Sequence, residues 1–531
     1  MPEVKLETPE DKTHGELSCN IALKSAKLFK KSPMDIAKQF QPVIQSCISA
    51  SSLKNAISDI KVENPGFINF YLSKTSLHET LDQIFIQQGD FGRNHLGQKR
   101  KVQIEFVSAN PTGPLSIAYG RQAAVGDALA NIFRFLGFDP CKEYYINDEG
   151  HQIDMLGLSI KSRAVEILTG QVDFPEDGYQ GEYIKDMAQL FLDHHHIGDI
   201  KKLESIDLKE FRGWGVEYLM GVIRQDLDDF GVKFDVWTSQ SKVADEKAVL
   251  AGVEFLKSKG LTYEQDGALW FKTTQFGDDK DRVIRKSDGS TTYLMPDIVY
   301  HKDKFGRGFD MVIDILGPDH HGYIARLKAS AQALGRNPDD LRVLIVQLAT
   351  IYRHGKAISM STRRGQYISL REVIDEVGVD AVRFFFLMRH VSAHLDFDLE
   401  LAKQQTPENP VYYIQYAHAR VHSMNKKAKE ASIQPKQRDF SLLNEEEELD
   451  LIKKLARFSD TLGYCYEQID PYALTAYLQE LATTFHKFYD RHRVISEDQD
   501  LSAQRLGLAN ATRIVLANGL RLLGVSAPES M

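Results

Sequence analysis

The stretch from Glu105 to Arg121, EFVSANPTGPLSIAYGR, decides how the chain folds. An apolar segment from Val102 to Val107 leads into a turn rich in Pro and Gly, and the apolar residues that follow, up to Phe138, recur at helical spacing. This order predicts the first strand, turn and helix of a nucleotide-binding sheet. In such a unit the helix N-terminus favours a phosphate. The shape alone fits equally well a doubly wound protein that binds nothing.

The composition is that of an ordinary soluble globular protein with two to four domains: 531 residues, 43% hydrophobic and 26% charged. No apolar run approaches the roughly 20 residues that span a bilayer, and the N-terminus lacks the apolar core of a signal peptide. We therefore expect a cytoplasmic protein without a membrane partner. The net charge of −9 argues against a general nucleic-acid binder and predicts no DNA partner, although local basic faces remain open.

Neither cysteine nor histidine spacing predicts a bound structural metal. Cys19, Cys47, Cys141 and Cys465 are scattered, which favours free thiols in a reducing compartment. The three histidines 194–196 are adjacent, so on a helix they point in different directions, whereas zinc pairs favour i, i+4 spacing.

The segment Glu105–Arg121, with its continuation Glu143–Gly150, resembles the signature region of class I arginyl-tRNA synthetases. In that family the turn ends in His-x-Gly-His, whereas this chain has Ser116-Ile-Ala-Tyr119, so both histidines and the glycine are replaced. Some members carry a compensating lysine ahead of this signature, and the corresponding residue here is Gly113.

Further segments are similar to the same family. Gly355–Gly365 resembles the second class I signature, Lys-Met-Ser-Lys-Ser, with Ser359 in place of the first lysine and Thr362 in place of the second. Gly317-Pro-Asp-His-His-Gly-Tyr323 resembles the family's Gly-Ala-Asp-His-His-Gly-Tyr motif.

Tyr293 and Asp297 are four residues apart, so in a helix both would project from one face. A carboxylate beside a phenol suits a guanidinium, whose donors prefer planar anionic acceptors. The spacing alone favours a capped helix with a buried tyrosine. The segment is also similar to the family's Thr-Tyr-x-x-x-Asp-Ile motif, in which the Tyr and Asp hold arginine, and this resemblance favours the first interpretation.

The resemblance implies an α/β fold with three domains. Residues 1–75 would form an N-terminal α+β domain that touches the corner of tRNA. Residues 76–405 would form a Rossmann-type catalytic domain, with an insertion at about 157–232. Residues 406–531 would form an all-helical anticodon-binding domain.

The resemblance also implies the roles of individual residues. The partners would be L-arginine, tRNA(Arg) and ATP, with Mg²⁺ accompanying ATP, and the protein would be a monomer. The implied residues are, for catalysis, Ser116, Tyr119, Lys356 and Arg363; for arginine, Glu105, Asn110, Tyr293 and Asp297; for ATP, Ser116, Ala118, Tyr119, Asp319, His321, Ser359, Met360 and Ser361; for tRNA, Tyr416, Tyr489 and Met531.

The predicted function is arginyl-tRNA synthesis: activation of L-arginine by ATP, then transfer to tRNA(Arg). Ser116, Tyr119 and Ser359 can donate hydrogen bonds but carry no positive charge. Losing a charge-assisted donor removes roughly 1.5–3 kcal/mol per contact, about one to two decades of rate. Two alternatives follow: a paralogue that binds arginine or tRNA in a regulatory role, or an enzyme redirected to transfer arginine to another acceptor.

Overall fold

The computed structural model describes residues 2–7, 9, 11–171, 173–358 and 367–531. It begins with a small α+β unit in which two helices pack on an antiparallel sheet of strand order β1-β2-β4-β3. Its elements are β1 Leu6–Glu7, β2 Leu17–Cys19, α1 Ile21–Phe29, α2 Pro33–Ser49, β3 Ile57–Glu63 and β4 Phe67–Leu72.

A five-stranded parallel sheet, in the order β12-β11-β5-β6-β7, is the centre of the second unit. β5 is the middle strand and is buried on both faces, as parallel strands usually are. The elements leading to the insertion are α3 Lys74–Gln87, β5 Lys101–Glu105, α4 Ile117–Phe135 and β6 Asp139–Ile146.

The insertion is a helical subdomain with its own apolar core, which includes Leu156, Phe191 and Phe211. In the sequence the subdomain is inserted between two neighbouring strands of the sheet, because the chain enters it after β6 and leaves it into β7. The elements are α5 His151–Thr169, α6 Glu182–His194, α7 Ile200–Glu204, α8 Leu208–Asp229 and β7 Val236–Ser239.

The second half of this unit adds a three-stranded antiparallel sheet and completes the parallel one. Its elements are α9 Gln240–Val243, α10 Glu246–Ser258, β8 Thr262–Gln265, β9 Ala268–Phe271, β10 Arg282–Arg285, α11 Leu294–Gly306, β11 Met311–Leu316, α12 Ile324–Ala333 and β12 Leu341–Ile345.

A small sheet and a helical bundle end the chain. The small sheet pairs β13 with β14 and β15, and the bundle packs α16 and α19 against α20. The elements are β13 Ala349–Arg353, β14 Lys356–Ala357, α13 Leu370–Val377, α14 Val379–Leu387, β15 Leu395–Asp398, α15 Leu399–Lys403, α16 Pro410–Glu430, α17 Glu446–Ala456, α18 Phe458–Gln468, α19 Tyr472–Arg491 and α20 Gln499–Leu523.

Two fully buried arginines fix α4 relative to the rest of the molecule. Arg383 donates to the Asp127 carboxylate on α4 and to the carbonyl oxygen of Leu523 at the end of α20. Arg121, also on α4, donates to the carbonyl oxygens of Gln347, Ala393 and His390. The helix that follows the signature turn is therefore joined to the segments that flank β13 and β15 and, through Arg383, to the end of the C-terminal bundle.

None of the described helices is both long enough and apolar enough to cross a membrane.

Candidate active site

The candidate site lies at the carboxyl ends of β5 and β11, which are hydrogen-bonded neighbours. α4 begins beyond the first strand, and a 3₁₀ helix, Pro318–Tyr323, begins beyond the second. From β5 the chain continues to β6 on one side, and from β11 it continues to β12 on the other side. Open parallel sheets bind their ligands at the point where the strand order reverses in this way. The fold thus brings the first signature and the Gly317–Tyr323 motif together.

A buried cation, Lys304, lies beneath the site. Its Nζ is 2.5 Å from Glu105 Oε2 and 2.7 Å from Asp314 Oδ1, and its side chain has no exposed surface. Burial alone would lower the pKa of Lys304, but the two carboxylates raise it above its ordinary value. Burial would likewise raise the pKa of Asp314, but Lys304 and His301 hold it below its usual range. Lys304 and Asp314 therefore form a buried ion pair.

Glu105 ends β5 and is 8% exposed. Besides Lys304, it accepts a hydrogen bond from Ser108 Oγ at 2.9 Å. Burial raises the pKa of its carboxyl group, and Lys304 opposes that shift. Both carboxylate oxygens of Glu105 already have a partner within the protein. Direct contact of Glu105 with arginine stays a prediction.

Asp297, on the first turn of α11, is a half-buried carboxylate. The hydroxyl of Tyr323 donates to its Oδ2 at 2.6 Å, while its Oδ1 makes no hydrogen bond to another described residue. Burial raises its pKa. Burial raises the pKa of the Tyr145 phenol, and the nearby Asp297 and Glu105 carboxylates raise it further. The ring of Tyr145 stacks on Tyr300 with ring centres 4.6 Å apart. Asp297 is thus partly desolvated, held on one oxygen and able to accept on the other.

The predicted pairing of Asp297 with Tyr293 differs from what the structure shows. Tyr293 immediately precedes α11 and is 82% exposed, and Asp297 instead pairs with Tyr323. The side chains of Tyr293 and Tyr323 border the same shallow surface pocket. The phenol beside the carboxylate therefore comes from the Gly317–Tyr323 motif, and arginine binding by Tyr293 stays a prediction.

Asn110 borders a cavity of 370 Å³ between the signature turn and the insertion, and neither Glu105 nor Asp297 lines this cavity. Its Nδ2 donates to Gln152 Oε1 at 2.6 Å. Ser116 and Tyr119 border the same cavity. The structure therefore groups Asn110 with the residues predicted for ATP and not with Glu105 and Asp297.

The turn before Ser116 is held by two tyrosines. Tyr183 of the insertion donates to the carbonyl oxygen of Thr112 at 2.6 Å, and Tyr367 donates to that of Pro114 at 2.9 Å. A Cβ on Gly113 would lie 3.0 Å from both phenol oxygens, so these hydroxyls crowd any side chain at this position. The position where some family members carry a lysine is therefore enclosed here.

Ser116 is the N-cap residue of α4, but its hydroxyl makes no capping hydrogen bond. It is therefore available to a ligand at a helix N-terminus that favours anions. Ala118 and Tyr119 lie in the first turn. Burial raises the pKa of Tyr119, and the nearby Asp319 carboxylate raises it further, so this phenol is an uncharged donor.

Asp319 and His321 are exposed, and Asp319 Oδ1 lies 3.2 Å from Nδ1 of His320. Lys356, in β14, is exposed as well. The remaining predictions, Ser359, Met360, Ser361 and Arg363, lie outside the described residues.

Two of the residues predicted for tRNA enclose a third side chain. The guanidinium of Arg420 lies 4.6 Å from the ring centre of Tyr416 and 4.5 Å from that of Tyr489. Met531 is 52% exposed and borders a separate groove of 580 Å³, together with Tyr412. Both tyrosines already stack on a cation, and their contact with tRNA stays a prediction.

No group of three or more His, Cys, Asp or Glu side chains in the described ranges could hold a metal ion.

Three family profiles match consecutive parts of the chain. The arginyl tRNA synthetase N terminal domain matches residues 1–72, the class I (R) tRNA synthetase catalytic domain matches 80–386, and the DALR anticodon binding domain matches 414–531. The chain belongs to the class I arginyl-tRNA synthetase family.

Individual members of the arginyl-tRNA synthetase family agree with this assignment. The arginine–tRNA ligase of Syntrophotalea carbinolica is 47% identical, and that of Citrifermentans bemidjiense is 45% identical; each match covers 100% of this chain and 95% of the relative. The Thermus thermophilus arginyl-tRNA synthetase structure has a TM-score of 0.78 at 19% identity, covering 99% of this chain and 96% of that one, and so supports the fold.

Sequence reasoning assigned no role to Lys304, Tyr145 or Tyr323 in this synthetase. Lys304 lies seven residues after Asp297, two helical turns along the same face of α11, and that spacing could have indicated it. Tyr323 is the last residue of the Gly317–Tyr323 motif, but only the fold brings its hydroxyl to Asp297.

Proposed function

We propose that the protein is an arginine–tRNA ligase. It would join L-arginine to ATP as arginyl-adenylate and then transfer the arginyl group to a ribose hydroxyl at the 3′ end of tRNA(Arg). The observation that carries this proposal is Asp297, a partly desolvated carboxylate that has one oxygen held by Tyr323 and one oxygen open.

Arginine fits this group by its chemistry. A guanidinium presents several N–H donors in one plane and stays charged at all relevant pH values, so it prefers a carboxylate in a partly desolvated site. Lys304 is paired with Glu105 and Asp314, whereas Asp297 has no cation within ion-pairing distance among the residues that the structure describes.

The activation step needs positioning and charge neutralisation. The arginine carboxylate attacks the α-phosphate, a new O–P bond forms, and pyrophosphate leaves. In the second step a tRNA hydroxyl attacks the acyl carbonyl and AMP leaves. The N-terminus of α4 and the Ser116 hydroxyl would receive phosphate oxygens. Mg²⁺ would enter as the counter-ion of the substrate ATP, because it binds mainly through phosphates and a few carboxylates.

Arginylation of total tRNA with radiolabelled arginine and ATP tests the proposal, and radiolabelled lysine is the matched control. We expect arginyl-tRNA and no lysyl-tRNA, because one ammonium cannot reproduce the guanidinium contacts. Absence of arginyl-tRNA at high enzyme concentration would contradict the proposal. The full-length relatives favour the ligase over the regulatory alternative.

A further inference from the structure

The turn between β5 and α4 has little regular backbone structure of its own, since residues 111–115 belong to no helix or strand. The hydroxyl of Tyr183 donates to the carbonyl oxygen of Thr112 at 2.6 Å. The hydroxyl of Tyr367 donates to the carbonyl oxygen of Pro114 at 2.9 Å. Burial raises the pKa of both phenols, that of Tyr367 to about 12, so both stay protonated donors at neutral pH.

The two hydroxyls converge on one point of the turn. A Cβ built on Gly113, which lies between the two carbonyl groups, would be 3.0 Å from both phenol oxygens. Both tyrosines also border the cavity of 370 Å³ that Ser116 and Tyr119 line. Tyr183 and Tyr367 therefore form a tyrosine clamp next to the side chains that replace the signature histidines.

The two tyrosines come from different parts of the chain. Tyr183 lies in the first turn of α6, and its ring packs on the apolar core of the insertion. Tyr367 precedes α13, and the backbone N–H of Leu370 at the start of that helix donates to the carbonyl oxygen of Leu115 at 2.7 Å. The turn is thus held both by the insertion and by the segment that begins α13.

A salt bridge joins the two supports of the tyrosine clamp. The guanidinium of Arg371, on the first turn of α13, is 3.0 Å from Asp226 Oδ1 and 2.5 Å from Asp229 Oδ2. Both carboxylates lie on α8 of the insertion, and Asp226 is buried. Because the insertion and α13 are tied together, each tyrosine has a defined position from which it holds the turn.

The placement of the turn matters because the site lacks charged side chains at the signature positions. Ser116 and Tyr119 are neutral donors, so stabilisation of the phosphate charge relies on the N-terminus of α4 and on how accurately it is placed. A misplacement of about 1 Å in an active site can cost about a hundredfold in rate. A hydroxyl that holds the turn can therefore act on the reaction without touching the nucleotide.

We propose that Tyr183 and Tyr367 are positioning residues for arginine activation, because their hydroxyls fix the turn that presents the N-terminus of α4 to the phosphates of ATP. The proposal rests on the ligase function proposed above. It adds two residues from outside both signatures, one from the insertion and one from the segment before α13.

Tyr183→Phe and Tyr367→Phe test the tyrosine clamp, because each removes only a hydroxyl group. The measurement is the arginine-dependent exchange of labelled pyrophosphate into ATP with total tRNA present. Each variant loses one hydrogen bond, so we expect its kcat to fall about three- to tenfold. The KM for arginine should stay within about twofold, because the arginine pocket keeps its contacts.

Tyr477→Phe is the matched control for a buried phenol. Tyr477 is 5% exposed, and its hydroxyl donates to the carbonyl oxygen of Lys454 at 3.0 Å within the C-terminal bundle. This variant loses the same kind of hydrogen bond, so its thermal midpoint should fall about as much as in the clamp variants while the exchange kcat stays unchanged. An equal loss of kcat in Tyr477→Phe would overturn the proposal, because the effect would then follow from stability alone.

Gly113→Ala tests the tyrosine clamp from the side of the turn. The added methyl would lie 3.0 Å from both phenol oxygens, closer than ordinary van der Waals contact, so we expect a lower kcat. In a Tyr183→Phe/Tyr367→Phe background both oxygens are gone, and the same substitution should lower kcat by a smaller factor. An equal factor in both backgrounds would show that the methyl does not act on the clamp and would overturn the proposal.

The natural protein separates failure of the clamp from failure of the proposed function. If it shows neither exchange nor arginyl-tRNA, the ligase function is refuted and the clamp assignment with it. If it is active and both clamp variants keep its kcat, the clamp assignment alone is refuted.

Discussion

The proposed arginine pocket and the proposed nucleotide end of the crevice differ in the charge of their side chains. At the proposed arginine pocket, Lys304 lies between Glu105 and Asp314, and Asp297 accepts a hydrogen bond from Tyr323. At the N-terminus of α4 the signature histidines are replaced by Ser116 and Tyr119, which are neutral donors. If these residues have the roles proposed above, arginine binding would rest on a buried charge network, and activation would depend on neutral donors.

The largest effect should come from breaking the buried network at Lys304. In Lys304→Met, Glu105 and Asp314 lose their cation, and removal of one partner from a buried ion pair typically costs about 3–5 kcal/mol. Urea unfolding measures this loss. Lys302→Met removes an exposed lysine from the same helix and should change stability little. Equal unfolding free energies of the two variants would mean that Lys304 does not stabilise the pocket.

A somewhat smaller effect is expected at Asp297. Asp297→Asn removes the charge facing the guanidinium and should weaken arginine binding by about 1.5–3 kcal/mol, measured by calorimetry. Asp303→Asn is the control, since it removes a more exposed carboxylate from the same helix. Unchanged arginine affinity in Asp297→Asn would show that arginine binds elsewhere.

The pH dependence of arginine binding provides a finer test. Because burial raises the pKa of Asp297, this group takes up its proton at a higher pH than an exposed aspartate, whose pKa is about 3.9. Arginine affinity should therefore fall as the pH is lowered through the raised value, by about tenfold per pH unit below it. In Asp297→Asn this part of the dependence should disappear. An identical profile in both proteins would assign the titration to another group.

Much of the fold was predictable because local patterns determine it. The strand and helix predicted around the signature correspond to β5 and α4. The strand β6 was not predicted, because it carries Lys142 and Glu143, whose charges are neutralised only by distant partners. The break between α17 and α18, from Ala456 to Phe458, contains no Gly or Pro that would mark it in the sequence.

The site was predictable only in part, because most of its contacts join residues that are far apart in the sequence. Asp297 was identified from a local spacing and a motif. Its partner Tyr323 is 26 residues away, and Glu105 and Lys304 are 199 residues apart, so only the tertiary fold brings these pairs together. Side-chain pairing over such distances leaves no periodic signal in one sequence.

The most direct test compares arginylation kinetics of the natural protein with those of a Ser116→His/Ala118→Gly/Tyr119→His/Ser359→Lys variant. We predict that kcat/KM for ATP rises at least about tenfold in the variant, since each charged contact contributes about one to two decades. The KM for arginine should stay within about twofold, a difference well under 1 kcal/mol. An arginine KM that changed as much as the ATP parameters, or an unchanged kcat/KM for ATP, would contradict the claim that the altered signature residues affect ATP and not arginine.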